Sequence, residues 1–174
     1  MSLQGKVAIV TGGAQGIGRA IAEALAEDGA DIAVADLDPA RSQDAVAAIQ
    51  KLGRRALSVK VNVADWNDAK AMADQVMQEW GKIDILVNNA GGVLGQVGKP
   101  LETVTPAEWN AIFAVNASGA FYLCQAVAPG MKAQNYGRII NISSGAGLTI
   151  SLTGIQAYAA AKAALISLTR QLGH

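Results

Sequence analysis

Residues 6–18 read KVAIVTGGAQGIG, in which a short apolar run passes directly into a turn that contains four glycines. The residues that follow include Ile21, Ala24 and Leu25 at helical spacing, so the segment predicts a strand, a tight turn and a helix. Glycines allow such a turn and let the backbone approach a phosphate closely, while the helix N-terminus offers unpaired N–H groups to an anion. The pattern predicts a site for the pyrophosphate of a dinucleotide; an ordinary strand-to-helix turn is the competing interpretation.

Strand-length apolar runs recur along the chain. After the first run at 6–10, they lie at 31–36, 56–61, 83–88 and 138–142. Because these runs are nearly continuous in Val, Ile, Leu and Ala and alternate with helical patterns, they are typical of parallel strands buried on both faces. The sequence therefore predicts one α/β domain over 1–174, with a Rossmann-like doubly wound parallel sheet whose five visible strands lie in the order 3-2-1-4-5.

Capping residues and glycines mark the helix boundaries. In chain order, the predicted helices run from Asp38 and Pro39 to Gly53, from Asp65 to Gly81, from a Thr105/Glu108 capping box toward Met131, and over 157–172. Two stretches without a clear period, 92–103 and 145–156, follow the fourth and fifth strands. Open α/β sheets place their ligand crevice at these carboxyl ends, so we expect the functional site there.

Composition and charge exclude several classes of protein. Fourteen Lys and Arg balance fourteen Asp and Glu, so no basic surface for nucleic acid or an anionic membrane is indicated. No apolar run reaches the roughly 18 residues of a membrane span, and the N-terminus lacks a secretory signature. We expect a cytoplasmic protein with a small-molecule partner and no metal site. The single cysteine, Cys124, lies among apolar residues and is expected in the core rather than as a reactive thiol.

Asp36 ends the second strand, at the spacing from Gly16 at which a carboxylate accepts hydrogen bonds from the adenosine ribose of a dinucleotide. The same charge repels the 2′-phosphate of NADP, and neither Gln15 nor Leu37 supplies a cation to offset it. We therefore expect NAD as the cofactor rather than NADP. The alternative interpretation of Asp36 is a solvated strand end.

Further motifs resemble those of the short-chain dehydrogenase/reductase family in order and spacing. Residues 88–91 read NNAG, Ser144 follows the fifth strand, and Tyr158 with Lys162 forms a Tyr-x-x-x-Lys pair. The resemblance covers essentially the whole chain. It implies hydride transfer with Ser144, Tyr158 and Lys162 as catalytic residues, with Ser143 as the alternative serine.

The resemblance also assigns polar residues between these motifs. It implies that Asn88 braces the sheet and that Asn62 and Val63 contact adenine; many relatives have aspartate in place of Asn62, whose amide can still hydrogen-bond the ring. Asn116 matches the asparagine that holds a water in a proton relay, with a satisfied structural polar group as the alternative. The residues assigned to cofactor binding are Gly12, Gln15, Gly16, Ile17, Gly18, Asp36, Leu37, Asn62, Val63, Asn89, Ala90, Gly91, Tyr158 and Lys162.

Tyr158 and Lys162 are four residues apart on a predicted helix, so both side chains emerge on one face. Moving a hydride between an alcohol and a nicotinamide requires a group that gives or takes a proton. A phenol with an ordinary pKa of about 10 needs about 4 kcal/mol of extra anion stabilisation to do this near neutral pH. An ammonium about 4 Å away supplies about that amount at an effective dielectric of about 20. The resemblance adds that Lys162 binds the nicotinamide ribose, that Ser144 holds the substrate oxygen and that Asn116 links Lys162 to solvent through water.

The resemblance finally bears on activity and assembly. It implies an NAD-dependent dehydrogenase or reductase acting on a secondary alcohol or ketone, such as a polyol, sugar or hydroxy compound. An NADPH-dependent 3-oxoacyl-[acyl-carrier-protein] reductase and a truncated, non-catalytic nucleotide-binding module are the alternatives. It also implies a homodimer or homotetramer packed through the helices at 105–131 and 157–172. Because family members continue with further strands and a lid over the substrate, we expect the chain to be incomplete at its C-terminus.

Overall fold

Five parallel strands form one sheet in the computed structural model, which describes residues 2–173; Met1 and His174 lie outside the described part. The strands are β1 (Val7–Thr11), β2 (Asp31–Asp36), β3 (Ala56–Lys60), β4 (Ile85–Asn88) and β5 (Arg138–Asn141). Their order is β3-β2-β1-β4-β5, and each neighbouring pair is parallel. The predicted Rossmann-like fold and strand order are confirmed.

The strand ends differ from the prediction by at most two residues, but the burial differs more. Every residue of β1 and β4 is buried, as is all of β2 except Asp36. By contrast, most residues of β3 and β5 are at least partly exposed. The prediction that all five strands are buried on both faces was wrong for these two, because they form the edges of the sheet.

The helices are α1 (Gly16–Glu27), α2 (Gln43–Lys51), α3 (Trp66–Trp80), α4 (Pro106–Phe113), α5 (Gly119–Ala133) and α6 (Gln156–Leu172). Their predicted caps form. The Asp65 carboxylate accepts from two backbone N–H groups at the start of α3, Gly81 ends that helix in a left-handed conformation, and Thr105 and Glu108 make a complete capping box. Before α2, a short 3₁₀ turn at Pro39–Ser42 intervenes that the sequence did not predict.

Helices cover both faces of the sheet. Along β1, Val7 and Ile9 face the cluster that contains the buried residues of α3 and α5, whereas Ala8 and Val10 face that of α1 and α2. This alternation places the core on both sides of the central strands. Cys124 belongs to the first cluster and is 3% exposed, and burial raises the pKa of its thiol to about 11, so its predicted place in the core is confirmed.

A π-helical segment, Ala114–Ser118, joins α4 to α5. The resulting helical run, Pro106–Ala133, has 28 residues and a mean hydropathy of 1.5 over its most apolar window, so by length and composition it is able to cross a membrane. This corrects the expectation that no segment is long enough. Its side chains at Ile112, Leu123 and Val127 are buried against other parts of the protein, as in the core helix of a globular domain.

Candidate active site

A cleft of about 670 Å³ opens at the carboxyl ends of β1, β2 and β4. All the residues assigned to cofactor binding line it, namely Gly12, Gln15, Gly16, Ile17, Gly18, Asp36, Leu37, Asn62, Val63, Asn89, Ala90, Gly91, Tyr158 and Lys162. Of the predicted catalytic residues, Asn116 and Ser144 lie outside the lining. A second groove, of about 680 Å³, runs along β5 and contains none of these residues.

The glycine-rich turn packs directly on the start of α1. A Cβ at Gly18 would lie 2.2 Å from the carbonyl oxygen of Gly12 and 2.4 Å from Asn89 Nδ2, so this close approach requires glycine. Gly16 adopts a φ of +55°, in the left-handed region that favours glycine. Gln15 at the N-cap of α1 makes no side-chain capping bond, and the first turn holds no acidic residue. The first N–H groups of α1 therefore suit an anion such as a pyrophosphate.

Thr11, which the sequence reading did not single out, connects β1 to the segment after β4. Its Oγ1 accepts from the N–H groups of Asn89 and Ala90, both at 3.1 Å, and donates to the carbonyl of Val87 at 3.3 Å. Asn89 Nδ2 donates back to the carbonyl of Thr11 at 2.9 Å. The Asn89 amide thus fixes the wall of the cleft. A buried threonine that ends an apolar strand was the available signal, because its hydroxyl needs a partner.

Asp36 and Arg41 lie where the cleft passes the carboxyl end of β2. Asp36 Oδ2 accepts from the backbone N–H of Ala14 at 3.3 Å, and the Arg41 guanidinium donates to Oε1 of Gln15. The expectation of NAD rests on Asp36 and on the absence of a cation at Gln15 and Leu37. The turn at Pro39–Ser42 brings a cation that the sequence did not indicate, Arg41, into the lining of the same cleft.

Apolar and amide groups complete this end of the cleft. Ile17 is 68% exposed and Leu37 is 64% exposed, although both are large apolar residues. Asn62 Oδ1 accepts from the N–H of Ala64 at 3.1 Å, whereas its Nδ2 makes no hydrogen bond within residues 2–173. Exposed apolar surface beside a free amide donor suits a flat heteroaromatic ring such as adenine.

Tyr158 and Lys162 lie one turn apart on α6, and both line the cleft. Lys162 Nζ lies 5.6 Å from the centre of the Tyr158 ring and donates to the carbonyl of Ile142 at 2.8 Å. Lys162 is only 4% exposed, and burial lowers the pKa of its ammonium. The ammonium therefore lies beside the phenol ring, on the same face of α6.

The two serines after β5 make different hydrogen bonds. Ser143 Oγ donates to the backbone carbonyl of Lys162 at 3.0 Å, so its proton is already used. Ser144 Oγ accepts from the N–H of Ala146 at 3.2 Å, which leaves its own proton for another acceptor. This difference favours Ser144 as the donor to a substrate oxygen, although Ser143 is the serine that lines the cleft.

Asn116 lies in the π-helical segment and is 1% exposed. Its Nδ2 donates to the carbonyls of Gly92 at 2.8 Å and Ile112 at 2.9 Å, and its Oδ1 accepts from the N–H of Gly92 at 3.0 Å. A Cβ at Gly91 would lie 2.5 Å from Asn116 Oδ1 and 3.5 Å from Lys162 Nζ, so Asn116 and Lys162 flank this glycine. The side chain thus acts as a structural brace, and a relay role for Asn116 remains a proposal.

Beneath the cleft, Asn88 braces two strands. Its Nδ2 donates to Asn141 Oδ1 at 2.8 Å, which connects β4 to β5, and to the Cys124 sulfur at 3.4 Å. Among residues 2–173, no group of three or more His, Cys, Asp or Glu side chains is placed to hold a metal ion. Tyr158, Lys162 and Ser143 are side chains of the cleft that can donate or accept a proton, and Ser144 follows Ser143.

Curated relatives match almost the whole chain. The cyclohexanol dehydrogenase of Rhodococcus sp. (strain TK6) is 38% identical over 99% of this chain and 69% of its own length. The sorbitol dehydrogenase of Cereibacter sphaeroides is 40% identical over 99% of this chain and 65% of its own length. The 3-oxoacyl-[acyl-carrier-protein] reductase of Escherichia coli (strain K12) is 39% identical over 99% of this chain and 68% of its own length. The chain thus spans about two thirds of the length of these relatives.

A solved structure agrees with these relatives. The crystal structure of an NAD⁺-bound xylitol dehydrogenase superposes with a TM-score of 0.92 at 35% identity, over 99% of this chain and 65% of that one. A family model described as short chain dehydrogenase matches residues 6–174. The chain therefore belongs to the short-chain dehydrogenase family.

Proposed function

We propose that residues 1–174 are the dinucleotide-binding domain of an NAD-dependent oxidoreductase that acts on a secondary alcohol or ketone. The observation that carries this proposal is the single cleft that contains Asp36 at one end and Tyr158 with Lys162 at the other. Such a cleft suits an extended ligand, whose pyrophosphate is bound at the start of α1 and whose reactive ring lies beside the phenol.

The residues present fit the cofactor. Asp36 is placed to accept from ribose hydroxyls, Asn62 Nδ2 to bind adenine, and the first turn of α1 to bind the pyrophosphate. When bound, nicotinamide supplies the hydride acceptor or donor. These contacts support a dinucleotide as the ligand, and the carboxylate of Asp36 favours NAD because it repels a 2′-phosphate.

Residues of this chain carry out the proton transfer that accompanies hydride transfer. In alcohol oxidation, the Tyr158 phenolate takes the hydroxyl proton as the carbon gives up its hydride, and in ketone reduction the phenol returns it. Lys162 stabilises the phenolate electrostatically, at the cost of losing part of its solvation in the buried site. Ser144 donates a hydrogen bond to the substrate oxygen, which strengthens as charge develops there.

A titration with NAD and a change at Tyr158 test the proposal in the native polypeptide. In Tyr158→Phe, we expect NAD binding to remain within a few-fold and turnover to fall by about 10²–10⁴. Tyr136→Phe, a tyrosine outside this cleft, is the matched control and should leave both unchanged. Near-normal turnover of folded Tyr158→Phe would rule out this mechanism.

A 3-oxoacyl-[acyl-carrier-protein] reductase that uses NADPH is the second candidate. The relative with that name in Escherichia coli is 39% identical, and Arg41 in the cleft favours a phosphorylated cofactor. A panel of polyols, cyclic alcohols and 3-oxoacyl thioesters with both cofactors separates the two activities. A non-catalytic nucleotide-binding module has no use for Tyr158, Lys162 and Ser144 together, and turnover of any of these substrates excludes it.

We also propose that the chain forms a homodimer or homotetramer through the helices at 105–131 and 157–172. This proposal is supported by a largely apolar hollow between α5 and α6, and one of its lining residues, Phe121, is 45% exposed. A charge introduced by Phe121→Asp should reduce the molar mass measured by light scattering. Leu52→Asp, at a residue 44% exposed next to α2, should leave the mass unchanged. An unaltered mass for Phe121→Asp contradicts this interface.

A further inference from the structure

A short 3₁₀ turn, Gly145–Gly147, follows the two serines after β5 and packs against α6. Ser144 caps this turn. Its Oγ accepts from the N–H of Ala146 at 3.2 Å, and its backbone carbonyl accepts from the N–H of Gly147 at 3.0 Å. Both the hydroxyl and the peptide of Ser144 are therefore fixed to the turn, so the position of the turn decides where the hydroxyl lies.

Gly147 is the residue of this turn that lies closest to the backbone of α6. A Cβ built at Gly147 would lie 2.7 Å from the carbonyl carbon of Lys162 and 2.8 Å from the backbone nitrogen of Ala163, whereas real Cβ contacts essentially never fall below 3.0 Å. These neighbours are backbone atoms of a 17-residue helix, which cannot turn aside as the end of a flexible side chain does. Only a residue without a Cβ fits here unless the turn or the helix moves.

Space, and not backbone conformation, requires glycine at position 147. The φ of Gly147 lies outside the left-handed region in which other residues are strained. Gly145, at the start of the same turn, shares that property, yet a Cβ there would meet nothing within 4 Å. The turn therefore contains one glycine that the contact with α6 requires and one that it does not, and the two form a matched pair.

An added methyl group at Gly147 would displace the turn and not the helix. The turn has no buried residue, whereas α6 has four, among them Lys162, whose ammonium donates to the carbonyl of Ile142 at 2.8 Å. The contact must widen from 2.7 Å to at least 3.0 Å, and to 3.4 Å for ordinary packing, so the shift is about 0.3–0.7 Å. A hydrogen bond from Ser144 to a substrate oxygen weakens over such a shift, because bonds between hydroxyl groups extend over only about 2.5–3.0 Å.

We propose that Gly147 is a positioning residue for catalysis: its missing side chain lets the turn rest directly on the backbone of Lys162, which fixes the Ser144 hydroxyl relative to the Tyr158 phenol. This inference rests on the proposed function, in which both groups act on one substrate oxygen. Two groups that reach the same atom have to be held to within about 0.5 Å of their productive geometry. Gly147 couples them because α6 carries the phenol and the turn carries the serine.

Steady-state kinetics of Gly147→Ala and Gly145→Ala in the native polypeptide test this inference. The substrate is the best one from the panel of polyols, cyclic alcohols and 3-oxoacyl thioesters. In Gly147→Ala, we expect kcat to fall about tenfold to a hundredfold, because the bond from Ser144 is strongest in the transition state. KM and the affinity for NAD, measured by calorimetry, should change less than about twofold, since neither depends on that bond to the same degree. Gly145→Ala is the matched control and should leave kcat unchanged.

A double-variant cycle with Ser144→Ala separates positioning from a general loss of structure. If Gly147 acts through the Ser144 hydroxyl, adding Gly147→Ala to Ser144→Ala should lower kcat by less than about twofold, because the group that it positions is already gone. The pH profile of kcat/KM should be the same in Gly147→Ala as in the wild type, since Tyr158 and Lys162 stay in place. Thermal unfolding verifies that each variant is folded. One methyl group added to a turn without buried residues should lower the Tm only slightly.

Three outcomes overturn the inference. The first is an equal kcat for the two glycine variants, which would remove any role of the contact with α6. The second is a full further loss of kcat in the double variant, which would show that Gly147 does not act through Ser144. The third is a Gly147→Ala protein that does not fold, which would place the role of this glycine in folding. Absence of turnover of the whole panel by the wild type, by contrast, removes the proposed function together with this inference.

Discussion

Replacing Gly18 by alanine tests the close packing between the glycine-rich turn and α1. The added Cβ would lie 2.2 Å from the carbonyl oxygen of Gly12, whereas real Cβ contacts essentially never fall below 3.0 Å, so α1 must withdraw by about 0.8 Å. Overpacking of this kind costs about 1–3 kcal/mol, and the better helix propensity of alanine returns about 1 kcal/mol at most. We expect a net destabilisation of about 1 kcal/mol, or a fall in Tm of about 2–4 °C.

Gly18→Ala should reduce the affinity for NAD more than it reduces the stability of the fold. A shift of 0.8 Å stretches hydrogen bonds from the first N–H groups of α1 to a pyrophosphate beyond their useful range. The loss of two such bonds to a charged group weakens NAD binding by about a hundredfold, measured by calorimetry.

Gly130→Ala is the matched control for Gly18→Ala. This second glycine also lies in a helix, but a Cβ there meets only Met77, at an ordinary 3.6 Å. Its Tm should rise slightly, with NAD binding unchanged. A Gly18→Ala protein as stable as the wild type, with unaltered affinity for NAD, would refute the packing argument.

Three further predictions follow from single contacts. Ser144→Ala should lower turnover by about a hundredfold with little effect on Tm; Ser143→Ala should instead lower stability by about 1 kcal/mol, because it removes the hydrogen bond to the Lys162 carbonyl. The reverse pattern would reassign the two serines. A hydrogen bond from Lys99 lowers the pKa of Glu108 from 4.5 to about 2. Because the pKa of Glu108 is lower in the folded protein, its carboxylate stabilises the fold fully above pH 4.5, and this stabilisation disappears as the pH falls through about 2. The difference in Tm between the wild type and Glu108→Gln should therefore shrink over that pH window. A difference in Tm that stays constant with pH contradicts this assignment. Cys124, whose pKa burial raises to about 11, should react with a thiol reagent at neutral pH only as fast as the protein unfolds, and rapid labelling of the folded protein would contradict its burial.

The positions of the strands and the caps were predictable because their signals are local. Glycines after β1, the carboxylate of Asp65 and the Thr105 capping box each act within a few residues, so their geometry follows from the sequence alone. The burial of a strand is not local. β3 and β5 carry apolar residues, although a smaller share than the central strands, and they are partly exposed because no strand pairs with their outer edges in the described sheet.

Site residues that are close in sequence were predictable, whereas those brought together by the tertiary fold were not. The residues of the glycine-rich turn and the Tyr158/Lys162 pair were found because each set is contiguous or one helical turn apart. Arg41 was not predicted to line the cleft, because the 3₁₀ turn that carries it was not predicted from the sequence. The structural role of Asn116 could not be predicted from the sequence, because its partner Gly92 is 24 residues away, and its relay role stays a prediction.

The π-helical segment at Ala114–Ser118 also fixes the rotational phase of α5 relative to α4. An α-helix turns by roughly 100° per residue, and such a bulge is equivalent to one inserted residue. Deleting one residue there would leave a regular α-helix, so α5 would keep its orientation, with buried Cys124 toward the sheet and exposed Gln125 away from it. The same deletion in the regular helix on either side of the bulge would instead rotate every following residue by roughly 100° and misalign an entire layer of the protein.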